Sequence, residues 1–319
     1  YILNNNKLGL FMNSNDETLE KFNQFLEVEK CSYSDCLGVL EHDYEIDGVN
    51  AKIKLHYVKL DGNGRPMVKA LANTLYEYII NYCIASKNRN SQLTPRQSTK
   101  LTREARDLFR RPEVTDESPD KTGEAGEMLL YFLMESVMGA PQVVSKMELK
   151  TNRKDEVKGS DGIHAKYDSE SGLVDFYFGE SKLYKSSSSA ISSALHSVND
   201  FHDGEMYKHE YKMVTKHYKY ADEQTKQAIQ GLIVNGEPGP SVRVNHACLI
   251  GYDFETFKSK PYMALDDFKE EFLKDGSRLT TLLQKKFDKF EKQYLCFEVF
   301  FIPFPSVVEF RNAFNEALG

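Results

Sequence analysis

One stretch constrains this chain more than any other. Residues 172–184, Gly-Leu-Val-Asp-Phe-Tyr-Phe-Gly-Glu-Ser-Lys-Leu-Tyr, carry the β-branched and aromatic content of a strand, bounded by turn residues. Side chains two apart on a strand point the same way, so Val174, Phe176 and Phe178 share a face with Glu180, Lys182 and Tyr184. If the phenylalanines face a core, a carboxylate and an ammonium continue that face inward, where charge is expensive unless it is paired or used. Taken alone, the pair is equally an exposed strand end or a structural ion pair. Its surroundings decide how much weight it bears.

Upstream lies Ser160-Asp161-Gly162-Ile163-His164, an aspartate at the mouth of a strand over 162–168 that can sit beside Glu180 across the sheet. Asp-Gly is also a favoured hairpin turn. Further upstream, Gly123-Glu124-Ala-Gly-Glu127-Met-Leu-Leu-Tyr opens a helix over 123–138 with two glutamates one turn apart on one side. Acidic residues in a first turn also serve simply to offset the helix dipole.

The rest of the chain reads as an α/β (α+β) fold, a mixed central sheet flanked by helices. In the first 85 residues a strand over 51–60 and a turn at 61–64 lead to an amphipathic helix over 66–84. Residues 87–111 then carry Lys87, Arg89, Arg96, Lys100, Arg103, Arg106, Arg110 and Arg111 against only Glu104 and Asp107. This basic connector, partly helical, is either a solvated surface or a contact for nucleic acid or a partner. The acidic, Pro-containing run over 112–121 suits a linker. The boundary falls near residue 116, giving an N-terminal α/β domain (1–115) and a second domain (116–319). In the latter, strands are expected at 142–150, 162–168, 172–184, 242–252 and 294–302. Helices are expected at 188–202, 205–234 and 265–291 and at the close of the chain. The serine tract at 186–189 marks a helix start.

Composition narrows the classes. Hydrophobic residues at 40% and charged residues at 28% of 319 belong to a globular chain with a packed core. There is no apolar run of about 18 residues, and the opening Asn4-Asn5-Asn6-Lys7 is unlike a signal peptide, so the expectation is no membrane and a cytoplasmic protein. The chain begins at Tyr1, which leaves open what precedes it. Five unclustered cysteines read as reduced thiols. A net charge of −7 argues against a protein that coats nucleic acid non-specifically, although a local basic track suffices for an enzyme. Lys208, Lys212 and Lys216, with Lys219 nearby, form such a track in the helix expected over 205–220. A solvated face paired with Glu205 and Glu210 would look the same. His196, His202, His209 and His217 show no zinc or nucleophile pattern and are read as structural.

A helix glutamate, an aspartate, then Glu-x-Lys on the next strand resembles the αβββ order of the PD-(D/E)xK nuclease core. The resemblance implies that Asp161 and Glu180 hold one or two Mg²⁺ ions, Mn²⁺ being the alternative, with the carbonyl of Ser181 as a further ligand. It implies that Lys182 orients or activates the attacking water, and that Glu127, or else Glu124, positions it from the helix. Ser160 stands where that motif has proline. With Lys54-Leu-His-Tyr-Val-Lys-Leu-Asp-Gly-Asn-Gly-Arg65-Pro66 and Phe178-Gly-Glu-Ser-Lys-Leu-Tyr184, the chain more closely resembles the HamA family, nuclease effectors of Hachiman antiphage defence. That implies sequence-independent cleavage of DNA, restrained by a HamB-like superfamily 2 helicase, with residues 1–115 regulatory or helicase-docking. His164, close to the expected metal, either touches the substrate or caps its strand. The alternative, a non-catalytic binding or scaffold subunit, has no reason to keep two inward carboxylates and a lysine together.

Overall fold

Six strands form one sheet, and the Glu-x-Lys strand lies next to its edge. The computed structural model describes residues 14–90, 92–109, 123–150 and 159–319. In chain order it contains α1 (Ser14–Phe22), α2 (Lys30–Cys36), β1 (Leu37–Leu40), β2 (Asn50–Val58), α3 (Val68–Glu77), α4 (Ile79–Cys83), α5 (Pro95–Leu108) and α6 (Glu124–Ser136). There follow β3 (Gly162–Asp168), β4 (Leu173–Tyr184), α7 (Ser187–Asp203), α8 (Met206–His217), α9 (Glu223–Gly231) and a small hairpin, β5 (Ile233–Val234) with β6 (Glu237–Pro238). The chain then runs through β7 (Val242–Asp253), α10 (Glu255–Ser259), α11 (Leu265–Phe287), β8 (Cys296–Phe304) and α12 (Val307–Leu318).

The sheet order is β1-β2-β8-β7-β4-β3. The four inner strands are parallel to one another, and β1 and β3 pair antiparallel at the two edges. Parallel strands buried on both faces read as near-continuous apolar runs, and β8 (Cys-Phe-Glu-Val-Phe-Phe-Ile-Pro-Phe) and the Ala-Cys-Leu-Ile stretch of β7 do so. On one face lie α3, α6 and α12, whose Leu75, Leu129 and Phe310 share a core with Leu249 and Phe300. On the other lie α7 and α11, with Ile191, Phe272 and Leu279 against Ile250 and Phe301. Phe176 and Phe178 of β4 pack with Tyr211 and Val214 of α8 in a third cluster at the β3 edge. This is the mixed sheet flanked by helices that the pattern of elements implied.

Because β2 pairs with β8 from Asn50↔Cys296 to Leu55↔Phe301, residues before and after position 116 contribute to the same sheet. The linker over 112–121, together with Arg110, Arg111 and Lys158, lies outside the described residues. Part of the basic connector is consumed structurally. Arg89 pairs with the part-buried Glu27, Lys87 donates to the Tyr218 carbonyl at 2.6 Å, and Arg96, Lys100 and Arg103 of α5 stand exposed. Thr94 and Gln97 close a capping box at the start of α5, and Ser186 caps α7 as the serine tract suggested.

Three expectations change. Residues 142–150 form no strand: they make one isolated bridge, Gln142↔His164, and a 3₁₀ turn at Lys146–Leu149. Residues 142–147 are all buried, so they lack the in-out alternation a strand needs. The helix expected over 205–234 breaks after His217, because Lys219 turns inward: its amide donates to the Val143 carbonyl at 2.9 Å and its ammonium reaches Glu27 at 2.6 Å. The helix over 66–84 is likewise interrupted at Tyr78. All five cysteines are free, and among the described residues no helix is long and apolar enough to cross a membrane.

Candidate active site

The edge strand β3 stops pairing at Gly162↔Gly179, while β4 runs on to Tyr184. The result is a notch beside the second half of β4, and Asp161 sits in it, the residue just before β3 begins. Its amide donates to the Gly179 carbonyl at 2.8 Å, and its Oδ2 accepts from the Ser181 amide at 2.7 Å and hydroxyl at 2.8 Å. Two bonds to one oxygen fix the carboxylate against β4. Strand alternation then sends Glu180 and Lys182 to the α7 side, where Lys182 Nζ lies 2.5 Å from Glu180 Oε1. Both line a cleft of about 360 Å³ together with Asp161, Ser197, Asp200 and His246.

The electrostatics of the notch are unbalanced. Burial and the nearby Asp161 raise Glu180 from the ordinary 4.5 to about 7, with Lys182 and Ser197 pulling the other way. Burial opposes the Lys182 ammonium, but Glu180 and Asp161 outweigh it and its pKa is raised. Glu127 reaches the opposite side of the notch from α6. Gly126 makes this approach close: a methyl group there would come within 2.9 Å of Ser181 Oγ. Burial, then Asp161 and Glu124, push Glu127 up to about 8, and its Oε2 accepts from the Tyr82 hydroxyl at 3.1 Å. Three carboxylates therefore crowd one site, with Lys182 beside Glu180 and Lys150 acting on Glu127 among the described residues.

The remaining sequence-based candidates fall elsewhere. Glu124 is committed to Lys150 at 2.6 Å, in a pair with both side chains buried. His164, read as either touching the substrate or capping its strand, is only 1% exposed and does not line the cleft. Its Nδ1 lies 2.8 Å from the Ala140 carbonyl, so that nitrogen carries the proton, and burial lowers its pKa to about 3. It is a core histidine placed on the inward face of an edge strand. Lys212 and Lys216 are exposed on α8, whereas Lys208 is tied to Glu205 at 2.7 Å and Glu237 at 3.2 Å. Lys219, fully buried, is not part of that stripe.

The sequence reading missed the support beneath Asp161. Lys146 Nζ donates to the Ser160 carbonyl at 2.6 Å and pairs with Glu210 Oε1 at 2.6 Å, and the same oxygen accepts from the Ser160 amide at 2.8 Å. Gly159 has φ +104°, and a methyl group there would lie 1.9 Å from that carboxylate oxygen. Only glycine fits such a position. A lone lysine in the apolar run around Val143 and Val144 was the available signal. Among the described residues, no group of three or more His, Cys, Asp or Glu side chains could hold a metal ion by itself. The model of one protein family, HamA, matches residues 34–318. No curated protein matches the chain.

Proposed function

The chain belongs to the HamA family, and so to Hachiman antiphage defence, and on that premise we propose that it is a metal-dependent nuclease hydrolysing DNA phosphodiesters without sequence preference. The observation that carries this reading is the convergence of Asp161, Glu180 and Lys182, with Glu127 behind them, in a notch left by the end of β3. Carboxylates that raise one another's pKa are kept together at a cost in stability, and a cation removes that cost.

The donor set fits Mg²⁺, with Mn²⁺ as the alternative. Asp161, Glu180 and the Ser181 carbonyl are hard oxygens, and Mg²⁺ is held through one or two carboxylates plus substrate phosphate and water rather than by an all-protein cage. A bound ion would supply Lewis acidity at the scissile phosphate. The chain's own groups do the rest. Ser181 holds Asp161 in place through two hydrogen bonds. Lys182, kept ionised by Glu180, offsets the negative charge that builds on the phosphorus oxygens and orients the attacking water. Glu127, raised to about 8, holds a proton near neutral pH and can share it with water at the edge of the notch. Lys212 and Lys216, exposed on α8, are placed to follow a phosphate backbone.

The partner in this reading is a HamB-like superfamily 2 helicase that restrains cutting in the cytoplasm, with residues 1–115 as its regulatory or docking part. The exposed Arg96, Lys100 and Arg103 of α5 support that role. Reversing their charges in the full chain should weaken co-purification with the helicase, and unchanged association would reject it. A non-catalytic scaffold is the second reading, since among the described residues no three His, Cys, Asp or Glu side chains could hold a metal ion unaided. Supercoiled plasmid incubated with the chain in Mg²⁺ or EDTA, beside a Glu180→Ala/Lys182→Ala variant, separates the two. Metal-dependent loss of plasmid that the variant abolishes supports the nuclease. Plasmid left intact across divalent metals, with the helicase and ATP added, supports the scaffold.

A further inference from the structure

The cleft has a neighbour. At the corner between α7 and α8, consecutive residues face different cavities: Phe201 and Met206 line the cleft, while His202 and Tyr207 line a second cavity of about 590 Å³. The wall between them is an imidazole pair, His202 Nε2 to His246 Nε2 at 2.8 Å, with His246 on the cleft side. Adjacent residues are about 3.8 Å apart along the chain, so the two cavities are next to each other.

The second cavity is lined by three tyrosines, Tyr207, Tyr211 and Tyr294. Tyr294 is 75% exposed, a large ring facing water. Tyr211 is fully buried, its ring edge-on to Phe176 and Phe178, yet among the described residues its hydroxyl has no hydrogen-bond partner. Burial raises the pKa of that hydroxyl, and the charge of Glu237, a residue of the same cavity, raises it further. A buried polar group left unmet in this way can be met by a ligand that reaches it.

The cations here are already engaged. Arg243 is held by Asp175 at 2.5 Å and Asp168 at 3.2 Å, and Lys292 by Asp203 at 2.8 Å. An anion therefore finds no free partner. What remains is flat aromatic surface, an unmet hydroxyl and the Glu237 carboxylate, whose two oxygens keep acceptor capacity beyond Lys208 and Tyr207. Aromatic stacking together with a carboxylate that accepts from an exocyclic amine is the chemistry that recognises an unpaired cytosine or adenine.

We propose that this cavity takes one unpaired nucleobase of the strand whose backbone occupies the cleft, so that the preferred substrate is single-stranded or locally melted DNA. The proposal rests on the nuclease reading for where the backbone runs.

Fluorescence anisotropy of the full-length chain in EDTA tests it, using a labelled mixed-sequence oligonucleotide rich in cytosine and adenine, single-stranded or annealed to its complement. The single strand should bind at least about tenfold tighter than the duplex. Tyr294→Ala should weaken single-strand binding about tenfold and leave duplex binding unchanged. Tyr211→Phe should weaken single-strand binding severalfold without lowering Tm, since the hydroxyl has no partner in the free protein. Equal affinity for the two forms, or single-strand binding unchanged in both variants, overturns the proposal. So does a lower Tm in Tyr211→Phe, which makes the hydroxyl structural. No cleavage enters this measurement, so a chain that shows the binding pattern but cuts no plasmid loses the nuclease reading and keeps the base cavity.

Discussion

Two cavities lie along the same pair of strands, and both are rich in charge. One is the cleft at Asp161, Glu180 and Lys182. The other, about 720 Å³, opens at the ends of β4 and β7 and is lined by Lys185, Asp253, Glu271, Lys274, Asp275 and Arg278. In the second, most charges are matched. Asp275 accepts from the Tyr252 hydroxyl at 2.5 Å and from Arg278 at 2.6 Å, Lys274 pairs with Glu270 at 2.8 Å, and Asp253 caps α12 through the Val307 amide at 2.8 Å. In the first, Glu180 and Glu127 are driven up by burial and by Asp161, and among the described residues Lys182 on the one and Lys150 on the other do not offset the rise. Charge content does not distinguish a site from a salt-bridged surface, but uncompensated charge does.

The comparison breaks first on cutting. Glu180→Ala/Lys182→Ala should reduce plasmid cleavage by roughly a thousandfold or more while circular dichroism stays unchanged. Asp275→Asn in the matched cavity should leave the rate within about twofold. If the two variants cut alike, the contrast means nothing for function.

Next in size is the support below Asp161. Glu210→Gln leaves the buried Lys146 ammonium without its counter-charge, a change that costs about 3–5 kcal/mol in comparable interiors. Chemical denaturation should show this, and a Lys146→Met/Glu210→Met double variant should recover most of it. A loss below about 1 kcal/mol in the single variant would show that the pair is not what holds Ser160.

Acidity gives a smaller effect whose sign follows from the raised carboxylates. Glu180 and Glu127 have folded values of about 7 and about 8 against an ordinary 4.5. Between pH 4.5 and 8 these two carboxylates bind more protons folded than unfolded, so their contribution to stability falls as pH rises through that window. The buried His56, His164 and His246, lowered to about 3, act the opposite way up to about pH 6.5, and the buried Lys219, lowered to about 7, does so above that value. The carboxylate contribution is therefore read as the difference in Tm slope between the metal-free protein and its Glu127→Gln variant above pH 6.5, where ~1 kcal/mol corresponds to roughly 2 °C. Mg²⁺ should restore more at pH 8 than at pH 6. Glu127→Gln should flatten the slope, and an unchanged slope would mean that Glu127 is not a source of the repulsion. Smallest is Asp275→Asn itself, expected to cost about 1 kcal/mol through its tyrosine and arginine bonds.

Much of this was legible in the residues. The two-residue period of β4 set Glu180 and Lys182 on one face, and the apolar runs of β7 and β8 marked inner parallel strands. What stayed hidden depended on contacts distant in sequence. Nothing local shows that Lys146 meets Glu210, that Arg89 and Lys219 converge on Glu27, or that β2 pairs with β8. The sequence left His164 open between substrate and strand because it could not show which face of β3 the helix α6 covers; Tyr131 of α6 lies over it, ring centroids 6.0 Å apart. The break at Tyr218 was missed for a related reason, since a lysine in a basic helix gives no sign that it will point inward.

The sheet order also has a consequence for how the chain is made. Strand β8 is synthesised after every other described strand of the sheet, yet it lies in the middle of that sheet, between β2 and β7. Until residues 296–304 have left the ribosome, the β1-β2 hairpin and the β7-β4-β3 group have no strand to join them. Such long-range closure is slow to form, so the notch gains its full backing only after residues 296–304 have emerged. Until then the two halves of the sheet, and the cleft that one of them carries, stay unassembled.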